Sequence, residues 1–138
     1  MTGPDSQPTE RFTRRPRAAP ETTRVALENF LDSVEAISAF LDQATTGGRD
    51  RFRRNSPAYA CGSLAIIRAA ALFEADAFSE FLADTPDEVA KALRTMRNIA
   101  SHSGYRAMND DRFWVTLTVE LPPHVARWRT AAQTSSSS

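Results

Sequence analysis

The chain predicts an all-α fold: an antiparallel up-down bundle of four main helices plus a short C-terminal helix. Three observations carry that prediction. Apolar residues recur at three- and four-residue steps in several windows, the spacing that lines one face of a helix. Proline, glycine and capping side chains mark the boundaries between those windows. Strand-like alternation occurs only in residues 114–121 (WVTLTVEL), and a lone strand has no partner to pair with. At 138 residues the chain suffices for one domain with its own core.

Residues 1–20 hold Pro4, Pro8, Pro16 and Pro20 and few large apolar side chains, which predicts a disordered tail with a basic end at Arg11, Arg14, Arg15 and Arg17. The helical domain is expected over residues 21–134, and residues 135–138 form a second disordered tail. The first helix starts near Glu21 and Thr22 and carries Leu27, Phe30, Leu31, Val34, Ile37 and Leu41 on one stripe, ending at Gly47-Gly48. A basic loop follows, Arg49-Asp50-Arg51-Phe52-Arg53-Arg54. Ser56-Pro57 opens a second helix, with proline where its missing N–H is harmless, and this helix runs through Leu64, Ile67, Ala71, Phe78 and Leu82. Thr85-Pro86-Asp87-Glu88 reads as a capping box that starts a third helix, with Val89, Leu93 and Met96 inward and Gly104 as its stop. Asn109-Asp110-Asp111 caps a fourth helix bearing Phe113, Trp114, Leu117 and Leu121, which Pro122-Pro123 interrupts. A short last segment holds Val125 and Trp128.

Seventeen basic residues balance 17 acidic ones, so no global electrostatic footprint for nucleic acid exists, and any such affinity has to come from local clusters. Sixteen of the basic residues are arginine; Lys91 is the one lysine. A single cysteine, Cys61 among small neighbours, excludes an intramolecular disulfide framework and a cysteine-based metal site, and reads as a packing residue. Residues 1–19 are too polar for a signal peptide. No run approaches the ~18 apolar residues of a membrane span, so the expected location is cytoplasmic.

The segment with chemistry in it is Arg97-Asn98-Ile99-Ala100-Ser101-His102-Ser103-Gly104-Tyr105, followed by Arg106. Arginine is permanently cationic and grips a phosphate with two parallel hydrogen bonds. Histidine takes and returns a proton near neutral pH. Together beside a helix end they form a compact site for phosphodiester chemistry, with Arg97 and His102 as candidate catalytic residues and Asn98, Tyr105 and Arg106 as candidate positioning groups. No metal or other cofactor is called for. His124 reads as a surface residue without an arranged partner.

Residues 96–122, MRNIASHSGYRAMNDDRFWVTLTVELP, resemble the signature end of HEPN-domain ribonucleases, in particular the HepT-like toxins encoded beside a minimal nucleotidyltransferase antitoxin. The family shows Arg-Asn, then His, Gly-Tyr, an acidic helix start with an aromatic, and Leu-Pro. The counterparts are Arg97-Asn98, His102, Gly104-Tyr105, residues 109–114 and Leu121-Pro122. The resemblance implies a HEPN-like helical domain and a metal-independent endoribonuclease that cleaves tRNA or mRNA through 2′-hydroxyl attack. It also implies a homodimer whose two motifs face each other across a cleft. The implied antitoxin is a nucleotidyltransferase, with Tyr105 as the acceptor of nucleotidylation. Non-catalytic relatives that only bind a nucleotidyltransferase are the alternative. Two positions depart from the pattern. Ser103 sets Tyr105 three residues after His102 rather than two, and Ile67-Arg68-Ala69-Ala70 stands where the second helix of the family often carries a glutamate.

Overall fold

The computed structural model describes residues 15–102 and 107–137, and among them there are helices and turns but no strand. The all-α bundle is therefore as expected. α1 spans Arg15–Thr45, α2 Pro57–Leu72, α3 Asp87–Ala100, α4 Asp110–Val115 and α5 Leu121–Ser137. α1 packs along α2 and also on α5, and α2 packs on α3.

α1 buries Phe30, Val34, Ile37, Leu41 and Ala44, one residue per turn, while Leu27 and Leu31 flank that stripe half-covered. It starts at Arg15, six residues ahead of Glu21, so the backbone of residues 15–20 is helical rather than part of the tail. At the other end α5 continues through Ser137.

α2 opens as anticipated. The Ser56 side chain accepts from the Tyr59 N–H at 3.1 Å, and Pro57 takes the first position. The expected length of this helix is corrected. It stops at Leu72, and a 3₁₀ segment, Asp76–Leu82, carries Phe81 and Leu82 into the core at a new angle. The buried face of α2 is made mostly of small residues. Tyr59, Gly62, Ser63, Ala65, Ile66, Ala69 and Ala70 are inside, while Leu64 and Ala71 are exposed. The helix is apolar nearly all round, so its periodicity names no inward side; Gly62 does. A methyl group there would lie 2.7 Å from Leu117 Cδ1 and 3.0 Å from Phe52 Cε1, so only glycine allows this approach.

α3 begins after Pro86, and no side chain caps it. Thr85 serves elsewhere: its hydroxyl accepts the indole N–H of buried Trp128 at 2.9 Å. The helix ends at Ala100, before Gly104, with Ser101 as its C-cap. α4 has the expected cap, Asn109 accepting from the Arg112 N–H at 3.0 Å.

Pro122-Pro123 does not interrupt the last helix. A π-turn, Thr116–Glu120, joins α4 to α5 without a break, and the Leu121 N–H donates to the Thr116 carbonyl five residues back. In a regular α-helix the rings of Pro122 and Pro123 would press on the carbonyls of Thr118 and Val119. Widening the turn just before them gives the room. The short element is thus α4, and the long C-terminal α5 supplies Leu121, Val125, Trp128 and Ala132 to the core.

Candidate functional site

Arg97 and Asn98 lie on the last turn of α3, whose apolar face buries Ala90 and Leu93. A cation in this turn is favoured by the negative end of the helix dipole. The Ser101 N–H bonds the Arg97 carbonyl at 2.9 Å and the His102 N–H bonds the Ile99 carbonyl at 3.2 Å, so the chain curls tightly and His102 emerges directly beyond the helix end. His102 is exposed, and no side-chain hydrogen bond reaches it among the described residues. Asn98 is exposed too. Tyr105 and Arg106, like Ser103 and Gly104, lie outside the described residues.

Arg97 is not idle. Its Nη1 donates to Glu74 Oε2 at 2.9 Å, and its Nη2 lies 3.4 Å from Asn98 Oδ1. Ile67-Arg68-Ala69-Ala70, where the resembled family often carries a glutamate, offers this arginine no carboxylate. Glu74 supplies one just beyond the end of α2, where the chain turns and the Glu74 N–H bonds the Ala71 carbonyl. The one signal available was that Glu74 is the first carboxylate after Asp50 in a long uncharged stretch broken only by arginines. With half of Glu74 exposed, this pair orients the guanidinium more than it stabilises the fold.

A second polar cluster grips the chain on the far side of the motif. Asp110 Oδ1 accepts from Arg54 Nη2 at 2.9 Å and from the Tyr59 hydroxyl at 2.8 Å, and the same Arg54 nitrogen donates to the Met108 carbonyl at 2.8 Å. Burial pushes the Asp110 carboxyl up. The hydrogen bonds from Arg54 and Tyr59, with the charges of Arg54 and Arg49, outweigh it and hold the group below its ordinary 3.8. Burial first, then the bond to Asp110, pushes the Tyr59 phenol well above its ordinary value. Arg49 bonds Asp111 at 2.8 Å and the Phe52 carbonyl at 3.0 Å. The basic loop is thereby fastened to residues 108–111. Phe52 is its anchor, fully buried with its ring 4.9–5.2 Å from those of Tyr59, Phe113 and Trp114.

His124 has partners after all. Its Nδ1 lies 2.6 Å from Arg127 Nη2 and its ring stacks on Trp128. Burial and then the Arg127 charge lower its pKa, which favours the neutral, accepting form. Cys61 is half-buried. Among the described residues no cluster of three or more His, Cys, Asp or Glu side chains is disposed to hold a metal. No single helix among them is long and apolar enough to cross a membrane.

No family model, no curated protein and no solved structure matches the chain.

Proposed function

We propose that this chain is a metal-independent endoribonuclease, the toxin of a pair in which a nucleotidyltransferase-fold protein is the antitoxin. The observation that carries the reading is the end of α3, where Arg97 and Asn98 lie on the last turn and an exposed His102 follows directly after the Ser101 cap. His102 takes the proton from a ribose 2′-hydroxyl, and that oxygen bonds to the adjacent phosphorus. The bond from phosphorus to the 5′-oxygen breaks, leaving a 2′,3′-cyclic phosphate and a 5′-hydroxyl. Arg97 stabilises the extra charge on the five-coordinate phosphorus, and Asn98 orients a non-bridging oxygen. Glu74 is a positioning residue that fixes one edge of Arg97; with a second, longer contact to Asn98 Oδ1, three of its five N–H donors remain for phosphate. A second copy of the chain supplies the acid that protonates the departing 5′-oxygen.

One observation favours the rival reading, a non-catalytic module that binds a nucleotidyltransferase: Arg97 already has a carboxylate partner. Purified protein incubated with RNA in EDTA separates the two. Cleavage to cyclic-phosphate ends by wild type, lost in Arg97→Ala and His102→Ala, supports the nuclease. Wild type cutting no faster than the variants leaves the binding module.

A further inference from the structure

The four arginines of the basic loop are not equivalent. Arg49 and Arg54 are spent on Asp111, Asp110 and the Met108 carbonyl. Arg51 and Arg53 are exposed, and no described carboxylate forms an ion pair with either; Arg53 gives its Nε–H to the Asp50 carbonyl and keeps its outer nitrogens free. Arg112, next in the chain to the Asp111 that holds Arg49, is exposed and unpaired among the described residues as well.

Two features make this arrangement a surface rather than a solvated loop. It is rigid: Phe52 is locked into a cluster of rings between the two arginines, and the Arg51 stem lies over Gly47, where a Cβ would come within 2.8 Å of its Cγ. A guanidinium held this way loses little freedom on binding. It is also local. Residues 49–54 and 110–112 together hold five arginines and three aspartates in a chain whose net charge is zero. Arg54 bonds Met108, which is six residues along the chain from His102. A chain of that length spans at most about 20 Å, so the Met108 anchor of this surface lies within that reach of His102.

We propose that Arg51 and Arg53 bind the phosphate backbone of an RNA strand whose scissile bond lies at Arg97 and His102, while Arg49 and Arg54 build the surface without touching RNA. The surface rests on the nuclease reading for its substrate, and its chemistry is that of planar, bidentate phosphate recognition. A single strand releases counterions at about 0.7 per phosphate neutralised, so contacts of this kind are read in the salt dependence of binding.

The test uses the His102→Ala protein, so that the probe survives, and a labelled oligouridylate of about 12 nucleotides. Adding Arg51→Ala and Arg53→Ala is expected to make the log–log salt slope shallower by about 1.4. The advantage of the His102→Ala parent over this triple variant then shrinks about sevenfold between about 50 and 200 mM salt. The thermal midpoint moves by no more than about 2 °C, since the Arg53 bond to the Asp50 carbonyl and the Arg51 stem over Gly47 are surface contacts. A control pair, Arg24→Ala with Lys91→Ala, removes the same charge from exposed sites elsewhere and leaves the slope in place. An unchanged slope in the loop variant, or an equal change in the control, overturns the proposal. If wild-type protein leaves RNA uncut yet the slope follows Arg51 and Arg53, the surface stands and the nuclease reading falls. If wild type cuts and the slope ignores them, only the surface falls.

Discussion

Tyr59→Phe tests the cluster that fastens the motif to the bundle. The substitution deletes one oxygen and keeps the ring, so the contacts with Phe52 at 4.9 Å and Phe113 at 5.1 Å survive. What goes is a 2.8 Å hydrogen bond from a fully buried residue to the Asp110 carboxylate. A hydrogen bond to a charged group contributes about 1.5–3 kcal/mol. About a third of the Asp110 side chain is exposed, so water takes over part of the lost donor and the low end applies, ~1.5 kcal/mol. For a chain of this size that is a drop of about 5 °C in thermal midpoint. Urea unfolding followed by tryptophan fluorescence measures it directly. A double-mutant cycle with Asp110→Ala assigns the loss to the pair, with an expected coupling of about 1 kcal/mol. Tyr59→Phe within about 0.3 kcal/mol of wild type, or strictly additive costs in the cycle, would refute the argument.

The same cluster has a pH signature. The folded-state pKa of Asp110 lies below its ordinary value of 3.8, so its contribution is complete above that value and is lost as pH falls through the folded pKa. The stability gap between wild type and Asp110→Asn should therefore be flat from pH 5 to 8 and close only under acid, as acid titration of both proteins by circular dichroism would show. Gly62→Ala gains about 1 kcal/mol of helix propensity but drives a methyl into Leu117 and Phe52, costing about 1–3 kcal/mol. The net expectation is a lower urea midpoint, and a higher one would contradict the packing. Thr85→Val strips the acceptor from the Trp128 indole, which is 1% exposed, at a cost of about 1–3 kcal/mol; the measurement is thermal unfolding, with Trp128 emission in a Trp114→Phe background as a local probe.

Where local chemistry has one solution, the sequence was sufficient. The stripe of α1, the Ser56-Pro57 start and the Asn109 cap each depend on residues a few positions apart, and each stands in the structure. The misreadings share a physical origin: they needed knowledge of what lies across the bundle. α2 is apolar on nearly every side, so its inward face is decided by the ring cluster that demands Gly62. Thr85 had two calls on its hydroxyl, a helix end in its own segment and an indole 43 residues away, and the buried N–H won. The candidate site divides in the same way. Arg97, Asn98 and His102 were legible because they follow closely in the chain at one helix end, whereas Glu74 joins Arg97 across 23 residues through a bend that composition does not announce.

The π-turn before Pro122 also keeps the last helix in phase. Core residues Phe113, Leu117, Leu121 and Val125 follow one another in steps of four, and each step overshoots the 3.6-residue helical turn. Three such steps rotate a regular helix by about 120°, enough to swing Val125, Trp128 and Ala132 away from α1. A turn closed over five residues instead of four holds one surplus residue, and that residue takes back about 100° of the rotation. The count between Phe113 and Val125 is accordingly fixed: deleting a single residue from Thr116–Glu120 would leave an unbroken helix whose two halves face different ways.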